Sequence, residues 1–143
     1  MKRILFLLPF LLAACTPAGP APTPTPELPP LIQPYAPRPG DSSLSRGNLY
    51  LDSAELLVLE SYPVQINLVL QGNLPTPCHE LRVSVTAPDN ENRILVEAYS
   101  LSDPQAICMQ VLQPFEASIP LGSFPAGHYS VWVNGEKIGE FDA

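Results

Sequence analysis

Val64-Gln65-Ile66-Asn67-Leu68-Val69-Leu70-Gln71 is the stretch that decides the fold class. In an extended chain successive side chains point to opposite faces. Val64, Ile66, Leu68 and Leu70 therefore line one face, and Gln65, Asn67 and Gln71 the other, which is the signature of a half-buried strand. The same period continues outward on both sides. Before it, Ala54 to Glu60 reads as a strand with the apolar run Leu56-Leu57-Val58-Leu59, closed by the bend Glu60-Ser61-Tyr62-Pro63. After it, the loop Gly72 to Pro77 leads to Leu81, Val83 and Val85, which face inward opposite Glu80, Arg82 and Ser84. The turn Pro88 to Asn92 returns the chain through Ile94, Val96 and Ala98 until Ser102-Asp103-Pro104 ends the run.

Ile107 to Leu112 reads as a short strand or extended crossing. Phe115, Ala117, Ile119 and Leu121 alternate again, Phe124 to Gly127 turns, and Tyr129, Val131 and Val133 run up to Asn134-Gly135. Asn-Gly is the strongest short hairpin signal, because both residues tolerate the positive φ of a type I′ turn. Lys137 to Phe141 returns. No helix of useful length is expected, since prolines interrupt the candidate windows. Seven to eight short strands over about 95 residues, with turn residues between them, predict an all-β fold of two packed antiparallel sheets.

The chain has 143 residues and 19 prolines, ten of them between Pro17 and Pro39. That unevenness separates a proline-rich segment, read as a disordered tether over residues 15–48, from a domain over residues 49–143. The run from Thr16 to Pro26 favours polyproline II, since each ring fixes φ and removes a donor. A spacer is the simplest reading of it; a ligand for a proline-binding domain or a glycosylated stalk are the alternatives. Leu28, Leu31, Ile32 and Tyr35 are more apolar than a spacer requires and are expected to dock on the domain.

Met1-Lys2-Arg3 is a positive n-region, and Ile4 to Leu12 an apolar h-region far shorter than the roughly 20 residues a bilayer span requires. Residues 1–14 thus read as a signal peptide. Its ending, Leu12-Ala13-Ala14-Cys15, resembles the lipobox of bacterial lipoproteins. That resemblance implies a lipidated Cys15 at a new N-terminus, and an extracytoplasmic protein anchored by lipid to the bacterial cell membrane or outer membrane. Formal charge is −7 for the whole chain. Removal of Lys2 and Arg3 with the signal peptide leaves 5 basic and 14 acidic residues. So acidic a protein lacks the electrostatic footprint of a nucleic-acid binder. Anionic headgroups would repel it, so membrane attachment rests on the covalent lipid. With Cys15 assigned to lipid, Cys78 and Cys108 remain, and an even remainder in an exported protein reads as one disulfide. Closing a loop of about thirty residues adds roughly 3–4 kcal/mol in the chain-entropy model.

Four segments in succession carry a further resemblance: Glu60 to Ile66; Gly72-Asn73-Leu74-Pro75 through Cys78; Cys108 to Glu116; and Ala126 to Val131 followed by Asn134-Gly135. Together they resemble a group of small extracytoplasmic bacterial domains with an immunoglobulin-like β-sandwich, often found on lipoproteins and without assigned activity. The resemblance covers roughly residues 54–142. It implies fold, disulfide and address, and nothing about mechanism.

No catalytic constellation is legible. His79 and His128 are the only histidines, and no Gly-x-Ser-x-Gly is present. A bridged Cys78 or Cys108 offers no thiolate. His79 and Met109, beside the two cysteines, suit copper in ligand type, but two ligands do not make a site. Asp89, Asn90, Glu91 and Asn92 present oxygens that calcium could use, yet these residues are what such a turn prefers anyway. No enzyme activity, cofactor or metal is expected.

The last hairpin holds the candidate binding patch. With Asn134-Gly135 as the two-residue turn, Trp132 pairs with Lys137, Val131 with Ile138, Ser130 with Gly139 and His128 with Phe141. Val131, Val133 and Ile138 then face the core, while Trp132, Phe141, His128 and Lys137 share the outer face. Exposed aromatic patches mark ligand or partner sites. The competing reading is that the proline-rich segment or Leu49 to Leu51 covers this face. The expected role is a non-enzymatic structural or binding module for an envelope or extracellular protein or glycan. The alternative is a small β-sandwich protease inhibitor acting through the loops Gly72–Cys78 and Ser102–Cys108.

Overall fold

The computed structural model describes residues 33–143. The expected signal peptide, Cys15 and the part of the expected tether up to residue 32 lie outside the described residues. The fold is a β-sandwich of eight strands: β1 (Ser45–Gly47), β2 (Tyr50–Leu59), β3 (Gln65–Leu74), β4 (His79–Val85), β5 (Arg93–Ser102), β6 (Gln113–Gly122), β7 (His128–Val133) and β8 (Glu136–Asp142). The only helical element among the described residues is a five-residue 3-10 turn, Pro39–Ser43.

One sheet is β2-β3-β6, with β3 in the middle. Its central strand is the alternating stretch read above: Ile66, Leu68 and Leu70 are buried, at 1% exposure or less. The other sheet is built on β5. β4 pairs along one of its edges, from His79 opposite Ser102 to Val85 opposite Val96. Two strands share the other edge: β7 pairs with Arg93 to Val96, and β1 with Ser100 to Ser102. β8 lies outside β7. The inward rows expected on β4, β5, β6 and β7 meet between the sheets. Leu81, Val83, Ile94, Val96, Ala98, Ala117, Ile119, Leu121, Tyr129, Val131 and Val133 are all core.

At one place glycine is required by space. A Cβ on Gly72 would collide with the Tyr50 carbonyl oxygen, where β2 is irregular between Leu51 and Ser53. The Phe115 ring lies over the same position from β6, so the site takes no side chain of its own.

The structure departs from the sequence expectations in four places. The tether does not extend to residue 48 and the folded unit does not begin at Leu49: residues 33–48 pack on the sandwich. Tyr35 accepts a hydrogen bond from the Val83 N–H at 2.8 Å, Gln33 donates to the Pro120 carbonyl, and β1 joins β5. The 3-10 turn lies against Arg82, which is only 4% exposed and is gripped by both Asp41 oxygens and by Glu80. Hydrogen bonds from Arg82, and then from the Arg38 backbone, hold the Asp41 carboxyl below the usual range.

Secondly, of the two readings of Ile107 to Leu112 the short strand fails: the stretch is a crossing, part of an irregular connection between β5 and β6. Thirdly, the β5–β7 pair is parallel, the one exception to antiparallel pairing. The remaining departure is a bulge in the last hairpin. Trp132 pairs with Lys137 as expected, but Val131 pairs with Gly139 and Tyr129 with Phe141, so Ile138 is an extra residue on β8. A one-residue slip moves every later side chain to the opposite face. Phe141 therefore points into the core.

Candidate functional site

The outer face of the five-stranded sheet is where the structure gathers most of the singled-out side chains. Parallel pairing places Leu95 of β5 directly beside Trp132 of β7. Trp132 is half-buried, and its indole N–H donates to the Ser130 hydroxyl at 3.1 Å, which fixes the ring. Leu95 remains 45% exposed. Further along β5, the Arg46 guanidinium lies 3.8 Å from the centroid of the Tyr99 ring and ion-pairs with Glu97. An open groove of about 980 Å³ runs over these residues and past Asn48 and Tyr50.

Asn134 shapes the floor of the groove. Its φ is 50° and that of Gly135 is 88°, the left-handed pair that the hairpin turn requires. Its side-chain amide lies against the free edge of β5, where Oδ1 accepts from the Ala98 N–H at 2.8 Å and Nδ2 donates to the Ala98 carbonyl at 3.0 Å. The side chain thus substitutes for a peptide unit in the gap between the end of β7 and the start of β1.

The four-residue patch expected on this hairpin divides into three. Trp132 lines the groove. Phe141 is a correction: it is 5% exposed and packs with Tyr129 at 5.3 Å and Phe124 at 5.4 Å between ring centroids, so it takes no part in a surface. The Ile138 bulge brings Glu140 and Asp142 outward in its place. His128 and Lys137 join them in a charged cluster beside the groove: His128 Nδ1 is 2.8 Å from Asp142 Oδ1 and Nε2 is 3.6 Å from Glu140, which also pairs with Lys137. These carboxylates, Asp142 foremost, raise the His128 pKa above 6.5.

Residues 68–143, just over half of the chain, match the model of the ORF11 beta-sandwich domain. The chain belongs to the ORF11 beta-sandwich domain family. No curated protein and no solved structure matches it. The ORF11 beta-sandwich match begins within β3 and takes in Leu95, Tyr99 and Trp132 of the groove. Arg46, Asn48 and Tyr50, which complete the groove, precede it. Membership of the ORF11 family establishes the architecture; function has to be argued from the site.

In this ORF11 domain the two cysteines are joined, Cys78 to Cys108, with Cα atoms 6.0 Å apart. His79 hydrogen-bonds through Nδ1 to Thr76 Oγ1 at 2.8 Å, inside the loop that the disulfide holds. Met109 is 71% exposed, and a thioether with one imidazole would still make only two ligands, too few for a copper site. In the β4–β5 turn the Asp89 carboxylate is spent on the chain itself: it accepts from the N–H groups of Glu91 and Arg93 and from the Arg93 guanidinium. Among the described residues no cluster of three or more His, Cys, Asp or Glu could hold a metal ion.

Sequence reasoning missed Arg46, Leu95, Glu97 and Tyr99. Leu95 and Tyr99 occupy the outward phase of β5, where alternation predicts polar residues, and that was the available signal. What local pattern does not reveal is the β5–β7 pairing, which joins residues more than thirty positions apart.

Proposed function

We propose that this protein is a lipid-anchored extracytoplasmic binding module whose ligand lies in the Trp132 groove. The observation that carries the reading is the groove: a fixed indole, an apolar side chain beside it, and an arginine stacked on a tyrosine, all on the exposed face of a sheet. Binding sites combine apolar and aromatic lining with a few placed polar groups. The chemistry that fits is a neutral glycan chain. Its apolar ring faces would stack on Trp132 and Tyr50, and its hydroxyls would meet Arg46, Glu97 and Asn48. The acidic balance of the chain argues against an acidic ligand.

The anchor is Cys15, supported by the Leu-Ala-Ala-Cys ending directly after an h-region and by a disulfide that requires an oxidising compartment. The test has two arms. Titration calorimetry with neutral envelope oligosaccharides should give binding that Trp132→Ala weakens at least about tenfold, or about 1.4 kcal/mol; equal binding by the variant overturns the groove reading. Separately, wild-type protein should fractionate with membranes and Cys15→Ser should not. An unchanged distribution overturns the anchor.

A further inference from the structure

The connection between β5 and β6 exposes four large apolar side chains, Ile107, Met109, Val111 and Leu112, and the groove uses none of it. From Pro104 to Phe115 it carries no charged residue, in a chain with a formal charge of −7. Ile107 is fully exposed and Met109 is 71% exposed. Between them Cys108 turns the other way and is bonded to Cys78. Ile107 and Met109 thus stand out on either side of the half-buried Cys108, and no strand pairs with the segment. Among the described residues the N–H groups of Ile107, Cys108 and Met109 have no hydrogen-bond partner, and the Cys108 carbonyl accepts only from the Gln110 side chain. The Met109 carbonyl accepts from the Val111 N–H at 3.0 Å, a local bond that a cleft's own donors would replace.

A segment outside both sheets, with free N–H groups at Ile107 to Met109 and apolar side chains exposed two residues apart, is complementary to a cleft that adds a strand and has pockets at that spacing. A lipid surface would take the side chains but leave the backbone groups unsatisfied, at a cost of several kcal/mol each. We propose that Ala106–Met109 occupies the substrate cleft of an endopeptidase with an apolar primary pocket, Met109 filling that pocket, and inhibits it. The Cys78–Cys108 bond ties the middle of the segment to the domain in advance, so less conformational freedom is lost on binding.

The same anchoring explains why the segment would persist if cut. Hydrolysis of the Met109–Gln110 bond consumes one water, leaving a carboxyl on Met109 and an amine on Gln110. The disulfide keeps the first end on the domain, and the pairing of Gln113 with Leu74 at the start of β6 keeps the second. Neither end diffuses away, so the cleft stays filled.

The purified chain should inhibit chymotrypsin or subtilisin competitively at micromolar concentration or below, about −8 kcal/mol or better. Trypsin, whose pocket carries a carboxylate, should be unaffected. Met109→Asp should weaken inhibition at least about a hundredfold, or about 2.7 kcal/mol. Met109→Lys should transfer inhibition to trypsin, an effect that misfolding cannot imitate. Trp132→Ala should leave inhibition unchanged, which separates this inference from the groove reading. After reduction and alkylation the chain should become an ordinary substrate. Failure to inhibit at about 10 μM (about −6.8 kcal/mol), inhibition indifferent to Met109, or a self-associated chain that Ile107→Asp disperses without any inhibition would each overturn it.

Discussion

His128 shows how the outer face is tuned residue by residue. Its ring sits between Asp142 and Glu140, and the carboxylates favour its charged form. A histidine whose pKa is raised on folding contributes stability that is complete below its unfolded value, near 6.5. That contribution is lost as pH rises through the folded value. His128→Gln should therefore lower the urea midpoint at about pH 5.5 and change it little at about pH 8.5. Asp142, the nearer carboxylate, is the larger cause, so Asp142→Asn should return the imidazole titration, followed by NMR, toward 6.5. Both groups are solvent-exposed, and the effect is correspondingly modest.

Among the elements, the last hairpin decides most. Asn134 adopts a left-handed conformation and also completes the edge of β5 with two hydrogen bonds. Alanine there meets the left-handed strain and leaves the Ala98 N–H and carbonyl without partners. Asn134→Ala should cost about 1–3 kcal/mol in chemical denaturation. Asn134→Gly relieves the strain and keeps only the loss of the two bonds, so it should fall between wild type and alanine. The hairpin also marks how far the chain can be read from local pattern. Its turn, and the inward row Tyr129, Val131 and Val133, follow from Asn-Gly and from alternation. The face of Phe141 does not, because one extra residue, Ile138, reverses the phase beyond it, and nothing in Lys137-Ile138-Gly139 announces a bulge. Alternation therefore gives the right face for Trp132, on the turn side of the bulge, and the wrong one for Phe141, beyond it. Arg82 shows a different limit. Its outward phase on β4 was legible, but burial came from a 3-10 turn some forty residues upstream that alternation on β4 cannot register.

At the scale of the whole molecule, the folded unit includes a segment whose composition resembles a tether. Removing it exposes Arg82 and the β4 backbone at Val83. A fragment of residues 33–143 should therefore be more stable than one of residues 49–143 by several kcal/mol, since each hydrogen bond exchanged for water is worth about 0.5–1.5 kcal/mol and those to the charged Arg82 about 1.5–3. Urea denaturation of the two should show a lower midpoint for the shorter one, with a smaller m value because less surface is exposed on unfolding. Equal midpoints would mean that residues 33–48 merely rest on the domain.

The way that segment is fastened has a mechanical consequence. Its attachments come in chain order: Gln33 to Pro120, Tyr35 to Val83, Asp41 to Arg82, and then β1 to the last three residues of β5. A pull applied upstream of Gln33 loads them singly, so the segment peels as a tear strip does and the core strands never feel the full force at once. Each residue released adds roughly 3.3–3.6 Å of contour length. The segment is therefore a stored length of leash, paid out under tension before the sandwich itself is strained.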